Sequence, residues 1–253
     1  MSTSMYPRAS SLPSGAGFTS RVELVPGFVL HQRPYRETSA LLEIFTPTHG
    51  RVGLVARGAR SPKSRRRGEL QAFRALRLSW SERGELGTLT GVEADGPGFS
   101  LTGVALYSAF YLNELLVRLL VRHDPHPSLF DRYEQALHAL SNQPAGIELT
   151  LRLFEKQLLQ ETGYGLLLDT DCETGEPVHA DRLYDYHLEA GPVEVASGAS
   201  EGFLFPGSSL LALAQEEGVN VAVLRDAKRL MRAALNLYLG GKPLKSRELF
   251  VKG

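Results

Sequence analysis

The sequence predicts an α+β protein in which a small N-terminal β-barrel is followed by an α-helical domain. Residues 22–92 contain short apolar segments separated by turn-forming residues, which is typical of β-structure. After residue 98 the apolar residues recur at the spacing of amphipathic helices. With 253 residues, the chain is long enough for about two domains and a sizeable core.

Five strands are predicted in the N-terminal region. Their apolar segments begin near Val25, Ala40, Arg51, Phe73 and Leu86. In the fourth segment Leu76, Leu78 and Trp80 alternate with other residues, as in a strand with one buried face. Turn-forming residues at positions 47–50 and 83–84 separate neighbouring strands. Five short strands favour a closed barrel, for which we expect an oligonucleotide/oligosaccharide-binding (OB) fold, with an SH3-like barrel as the alternative.

The remainder of the chain is predicted to be mainly helical. Helical spacing of apolar residues is found at residues 102–122, 128–140, 146–161, 208–217 and 221–239. Between the third and fourth of these segments the pattern is irregular and acidic, which predicts an excursion of short strands or loops at about residues 166–206. We therefore expect an OB-fold domain at residues 22–98 and a helical domain at residues 99–253.

Residues 1–21 are predicted to be a disordered extension. They are rich in Ser, Gly, Pro and Ala and lack the apolar core of a signal peptide. No apolar run elsewhere approaches the roughly 20 residues of a membrane span. With a single cysteine in the chain, these features predict a cytoplasmic protein without membrane association.

A short basic tract is the feature of the sequence that most directly predicts a partner. Between residues 51 and 67 there are seven basic residues and no acidic one: Arg51, Arg57, Arg60, Lys63, Arg65, Arg66 and Arg67. The chain as a whole has 28 basic and 28 acidic residues, so this positive field is local. Arg33 and Arg36 lie in a second basic turn. Such tracts bind nucleic-acid backbones without reading sequence, the alternative being a solvated loop.

Candidates for catalysis or metal binding are weak. Asp169 and Asp171 suggest at most a metal-dependent nuclease, and no histidine or lysine partner accompanies them in sequence. Cys172, His179 and His187 are irregularly spaced, and one thiol cannot build a cysteine-rich zinc site. The sequence also lacks phosphate-loop, dinucleotide and hydrolase motifs. We therefore expect a non-enzymatic binding protein with no catalytic residue, metal or cofactor.

A second basic zone accompanies the last long helix. It comprises Lys228, Arg229, Arg232, Lys242, Lys245 and Arg247. Beside an apolar helix, such charges predict either a solvated face or a groove for an acidic, partly apolar peptide.

Four segments of the sequence resemble the RecO family of bacterial recombination mediators. They are residues 28–42 (FVLHQRPYRETSALL), 50–61 (GRVGLVARGARS), 106–116 (LYSAFYLNELL) and 238–250 (YLGGKPLKSRELF). The resemblance implies an N-terminal OB-fold and a C-terminal helical domain. It also implies a role in DNA repair and recombination: binding of single- and double-stranded DNA, strand annealing, and loading of RecA onto DNA covered by single-strand-binding protein. An RNA-binding barrel acting in translation or RNA turnover is the alternative.

The resemblance also assigns partners and residues. The implied protein partners are RecR and the acidic C-terminal tail of single-strand-binding protein, in a cytoplasmic, nucleoid-associated setting. DNA contacts are expected at the tract of residues 51–67 with Arg33 and Arg36. Contacts with the acidic tail are expected in the helical domain, at Arg118, Arg122, Arg229 and Arg232. Some family members carry a four-cysteine zinc module in the excursion, whereas this chain has only Cys172 there and resembles the zinc-free branch.

Overall fold

The computed structural model describes residues 20–252 except residues 63, 65, 83, 85, 197, 199 and 200. Residues 1–19 of the predicted N-terminal extension lie outside the described residues. The first strand begins at Ser20, two residues inside the span predicted as extension. Across the part of the chain that the structure describes, no helix combines the length and apolar character needed to cross a membrane.

The N-terminal strands close into the five-stranded OB-fold barrel that the sequence predicts. They are β1 (Ser20–Tyr35), β2 (Ser39–Thr46), β3 (Gly50–Ala56), β4 (Leu76–Glu82) and β5 (Leu86–Ala94). The order around the barrel is β1-β2-β3-β5-β4, and β4 pairs again with β1. Only the β3–β5 pair is parallel among these ladders. Closure leaves no free sheet edge, which protects a small barrel from strand addition.

Two local features of the barrel differ from the prediction. The fourth strand begins at Leu76 rather than at Phe73, because Phe73 has a positive φ of 59° and its carbonyl accepts a hydrogen bond from the Phe99 amide at 3.0 Å. The basic tract, predicted as a loop, contains a short helix, α1 (Arg66–Glu69). The Phe73 ring also packs edge-to-face on Phe110 of the helical domain, with centroids 4.9 Å apart, so a tertiary contact accompanies its local form.

The helical domain follows the predicted order of elements. Its helices are α2 (Gly103–Leu119), α3 (Pro127–Asn142), α4 (Ile147–Glu161), α5 (Gly207–Gln215), α6 (Val221–Tyr238) and α7 (Leu249–Lys252), with short 3-10 turns at Pro144–Gly146 and Lys245–Glu248. Helix α2 ends three residues before the predicted boundary at residue 122, since Leu120 adopts an extended conformation. The next residues then reach the barrel, where Arg122 forms bridges with Gly50 and Arg51.

The predicted excursion contains a small sheet. Strands β6 (Leu183–His187), β7 (Gly191–Val195) and β8 (Leu204–Pro206) pair in the order β7-β6-β8. The preceding loop is organised by the Asp171 carboxylate, which accepts hydrogen bonds from the amides of Glu173, Thr174 and Glu194 at 2.7–2.9 Å. Backbone amides therefore hold this loop against β7.

The barrel has an apolar core of its own, and a few of its other apolar residues join the core of the helical domain. Phe28 and Phe45 of the barrel pack against Phe130 and Tyr133 of α3, with ring centroids 5.2–6.3 Å apart. All four rings are buried within one cluster. At the same junction, the Asn113 side chain donates to the Leu30 carbonyl at 3.0 Å and accepts from the Tyr133 hydroxyl at 2.5 Å. The buried polar groups are thus paired, and the two domains are packed as one body.

Candidate nucleic-acid interface

One end of the barrel gathers four of the predicted DNA contacts. We call this surface the basic rim and define it as Arg33, Arg36, Arg57 and Arg60. The β1–β2 hairpin closes at the Tyr35–Ser39 pair, and β2 pairs with the end of β3 through Ala40 and Ala56. The turn after β1 and the loop after β3 therefore emerge side by side.

Direct hydrogen bonds hold these two loops together. The Arg60 amide donates to the Thr38 carbonyl at 2.8 Å. The Arg60 guanidinium donates to the carbonyls of Arg36 and Glu37, each at 3.4 Å. Residues 24 positions apart in sequence, Arg36 and Arg60, thus become neighbours.

The basic rim is exposed and carries surplus positive charge. All four of its arginines are exposed. Within the described part of the chain, Arg33 and Arg57 make no hydrogen bond or ion pair through their side chains, while Arg36 lies over the Tyr35 ring at 5.3 Å. Glu37, also exposed, is the acidic residue of the same turn. Exposed guanidinium groups on adjacent loops are chemically suited to bind an anion.

Beyond Arg60 the basic tract runs into a short helix. Lys63 and Arg65 are also predicted DNA contacts, and both lie outside the described residues. Arg66 and Arg67 begin α1, whose backbone follows the loop of Arg57 and Arg60. The tract therefore continues from the rim into a short helix.

Arg51 differs from its neighbours in the tract because its guanidinium is engaged within the protein. It donates to the Glu43 carboxylate at 2.6 Å and twice to the Leu120 carbonyl, at 3.0 and 3.1 Å. Only 15% of the Arg51 side chain is exposed. Because Leu120 directly follows α2, Arg51 links the barrel to the helical domain.

Arg122 takes part in the same joint. It pairs with the second oxygen of the Glu43 carboxylate, so Glu43 bridges two arginines from different domains. The main chain adds a further link, since the His123 amide donates to the Arg51 carbonyl at 3.0 Å. We call Glu43, Arg51 and Arg122 the interdomain joint. Sequence patterns gave no signal for Glu43, because its partners lie 8 and 79 residues away.

Arg118 also has an internal role. Its guanidinium donates to the carbonyls of Leu239, Lys242 and Pro243 at 3.0–3.2 Å. One turn earlier in α2, the Glu114 carboxylate accepts from the Lys245 amide and from the amide and hydroxyl of Ser246 at 2.6–2.9 Å. These two side chains fasten the C-terminal segment, residues 240–252, along α2. Sequence patterns gave no signal for this role of Glu114, because Lys245 and Ser246 lie 131 and 132 residues away.

Arg229 and Arg232 lie on the exposed side of α6. The Arg229 guanidinium covers the rings of Phe203 and Phe205, at 5.4 and 4.9 Å from their centroids. Arg232 and the neighbouring Arg225 are exposed and, within the described residues, form no ion pair. Both of these predicted partner contacts are exposed, although Arg229 also pairs with the Asp226 carboxylate at 3.5 Å and donates to the Leu204 carbonyl at 3.4 Å. Arg118 and Arg122 are engaged internally.

The weak catalytic and metal candidates do not assemble. Both carboxylate oxygens of Asp171 accept backbone hydrogen bonds, so this residue is occupied in shaping its loop. Among the described residues, no three His, Cys, Asp or Glu side chains are placed to hold a metal ion together. The residues present in the excursion therefore do not fit a zinc module.

Comparison with known proteins gives matches along nearly the whole chain. The family model "Recombination protein O N terminal" matches residues 22–96, and "Recombination protein O C terminal" matches residues 101–248. "DNA repair protein RecO" of Nitrosococcus oceani is 51% identical over 229 residues, which cover 90% of this chain and 93% of the relative. The protein of the same name from Coxiella burnetii is 48% identical over 233 residues, covering 91% and 99%. That from Alkalilimnicola ehrlichii is 50% identical over 232 residues, covering 91% of each.

Proposed function

Because the chain belongs to the RecO family of DNA repair proteins, we propose that its basic rim holds the DNA backbone during repair and recombination. The observation that carries this proposal is the convergence of exposed Arg36, Arg57 and Arg60 on two hydrogen-bonded loops. Guanidinium groups neutralise phosphates and release condensed counterions, which gives affinity independent of base sequence.

Strand annealing follows from the same chemistry. Two complementary strands repel each other through their phosphates, and a surface that neutralises those phosphates lowers the repulsion. Base pairing then supplies the specificity, so this step requires no catalytic side chain. Both single- and double-stranded DNA are suitable ligands, because each presents a phosphate backbone.

The helical domain is the proposed docking site for protein partners. Arg225, Arg229 and Arg232 form a basic stripe on α6, and Val221 at the start of the same helix is 85% exposed. This combination suits an acidic peptide with apolar side chains, such as the C-terminal tail of single-strand-binding protein. Together with RecR, the protein would then help to load RecA onto DNA that is covered by single-strand-binding protein.

DNA binding by the rim is tested with two matched double variants. Arg57→Ala/Arg60→Ala removes two exposed charges from the rim, and Arg225→Ala/Arg232→Ala removes two exposed charges from α6. In fluorescence anisotropy with single-stranded DNA at low salt, we expect the rim variant to lose about tenfold or more in affinity. The α6 variant should bind like the wild type. Equal losses in both variants would show a nonspecific charge effect and remove the rim from the proposal.

An RNA competitor separates the DNA proposal from an RNA-binding role. DNA and RNA oligonucleotides of the same length and sequence compete for the protein in the same assay. We expect the DNA to compete at least as well as the RNA. A clear preference for RNA would count against the proposed role in DNA repair.

Docking of the acidic tail is tested by reversing a single charge on α6. Arg232→Glu is the informative variant, since Arg229 also packs on aromatic rings and its replacement would disturb β8. We expect Arg232→Glu to weaken binding of an acidic C-terminal peptide severalfold while leaving DNA affinity intact. Arg57→Glu serves as the reciprocal control, weakening DNA binding alone. Unchanged peptide binding in Arg232→Glu would place the tail elsewhere.

A further inference from the structure

A small cavity lies in the helical domain, beside the ends of α4 and α6 and the turn between β6 and β7. Its volume is about 240 Å³. The wall includes three tyrosines, Tyr164, Tyr186 and Tyr238, and glycines that expose main chain. Pockets for drug-sized ligands usually begin at about 300 Å³, so this one suits a single side chain.

Two of the lining tyrosines stack on each other. Tyr164 and Tyr238 stack nearly parallel, with ring centroids 3.9 Å apart and planes 18° apart. Tyr164 is 43% exposed, so the stack is accessible from solvent. Aromatic faces carry negative electrostatic potential and attract cations, and planar guanidinium groups stack on them especially well.

The charged residue of the cavity wall is acidic. Glu189 is the charged residue of the lining, is exposed, and is accompanied by no lysine or arginine in that wall. Burial raises the pKa of Tyr238, and the nearby Glu189 and Tyr164 raise it further. The Glu189 carboxylate thus lies close enough to Tyr238 to add negative charge at this wall.

Two helices direct their C-terminal ends at the same place. Helix α4 ends at Glu161, just before the lining residue Gly163, and α6 ends at Tyr238, which itself lines the cavity. Helix C-termini carry partial negative charge and stabilise nearby cations. The α6 terminus already accepts one guanidinium from within the chain, because Arg118 donates to the Leu239 carbonyl at 3.2 Å.

From these features we propose that the cavity binds an arginine side chain of a protein partner. The guanidinium stacks against the exposed tyrosine face, while Glu189 and the two helix ends balance its charge. A nucleic-acid strand is disfavoured here, because its phosphates would approach a carboxylate and two negative helix ends. The cavity is thus a contact of opposite polarity to the basic rim.

The test uses nuclear magnetic resonance of the full chain, with N-acetyl-arginine amide as the probe. We expect saturable shifts of the lining glycine amides, Gly163, Gly165 and Gly191. N-acetyl-citrulline amide has nearly the same shape without the charge and should bind severalfold more weakly. Glu189→Gln and Tyr164→Leu should each raise the dissociation constant about two- to fivefold. Glu217→Gln, a change at an exposed glutamate outside the cavity, should leave it unchanged.

Three outcomes would overturn the proposal. The first is the absence of saturable shifts at these glycines. The second is equal binding of the arginine and citrulline probes, which would show that binding does not depend on the positive charge. The third is binding of a single-stranded oligonucleotide at the same glycines that tightens in Glu189→Gln, which would assign the cavity to a nucleic acid.

Discussion

Single residues in the basic tract differ in role according to whether a strand or a loop carries them. Arg51 lies within β3 and is engaged by Glu43 and the Leu120 carbonyl, whereas Arg57 follows the end of that strand and is exposed. The sequence predicted both the strand and the tract. It could not distinguish the two arginines, because the distinction depends on which strand and helix lie beside β3.

Loss of Glu43 is expected to destabilise the protein by about 2–3 kcal/mol. In Glu43→Ala two arginines, with side chains only 15% and 32% exposed, lose their shared countercharge. Partly buried charges left unpaired in this way are costly. The free energy of unfolding, measured by urea titration, reports the loss.

A surface ion pair provides the control for this prediction. Asp95→Ala breaks the pair between Arg77 and Asp95, whose side chains are 45% and 42% exposed. Such pairs contribute at most about 1 kcal/mol. A loss in Glu43→Ala no larger than that in Asp95→Ala would contradict the role assigned to the interdomain joint.

Glu114 predicts a pH-dependent component of stability. Partial burial disfavours its ionised form, but hydrogen bonds from Ser246 and Lys245 outweigh this effect and lower its pKa. A carboxylate whose pKa is lower in the folded state contributes stability above its unfolded pKa and loses it as pH falls through the folded value. Wild type should therefore exceed Glu114→Gln in unfolding free energy by about 1 kcal/mol at pH 7.

This advantage should shrink as the pH falls below about 4, where glutamate becomes protonated. Chemical unfolding of both proteins at a series of pH values measures the difference. An advantage that stays constant or grows toward low pH would show that Glu114 does not act through its charge.

At the scale of elements, the order of the helices and strands is as predicted, whereas some of their first and last residues differ from the prediction. Helices α3, α4 and α6 begin and end close to their predicted boundaries, because the amphipathic pattern depends only on residues near in sequence. The end of α2 and the start of β4 depend instead on contacts with distant residues, such as Arg51 and Phe99. Local patterns carry no information about such contacts.

The β2–β3 turn offers a sharp test of how closely the barrel meets the helical domain. Gly50 has a φ of +61°, and a Cβ there would lie 1.9 Å from the Asp124 carbonyl oxygen. We expect Gly50→Ala to cost at least about 3 kcal/mol of unfolding free energy, from backbone strain and displacement of that segment.

Gly84→Ala is the matched control for Gly50→Ala. Gly84 has nearly the same φ, +66°, but a Cβ there would meet nothing within 4 Å. Gly84→Ala should therefore lower the unfolding free energy only by the backbone strain, about 1 kcal/mol. Equal thermal or chemical destabilisation in the two variants would mean that the barrel and helical domain are not in close contact at Gly50.

At the scale of the whole molecule, the two proposed binding surfaces lie on domains that are packed together. The basic rim lies on the barrel and the α6 stripe on the helical domain, while Glu43 and the shared aromatic core hold the domains in one arrangement. The sequence was sufficient to predict both charged zones and the two domain types. It could not predict the joint, which forms only when residues such as Arg51 and Leu120, 69 positions apart, meet.

The salt dependence of binding to single-stranded DNA tests the central proposal most directly. Each neutralised phosphate contributes a slope of about −0.7 in a plot of log affinity against log salt concentration, so three or four contacts predict about −2 to −3. Arg57→Ala/Arg60→Ala should make the slope shallower by about 1.4, as two contacts are lost. Arg225→Ala/Arg232→Ala should leave it unchanged. A slope near zero in the wild type, or the same slope in the rim variant, would contradict DNA binding at the basic rim.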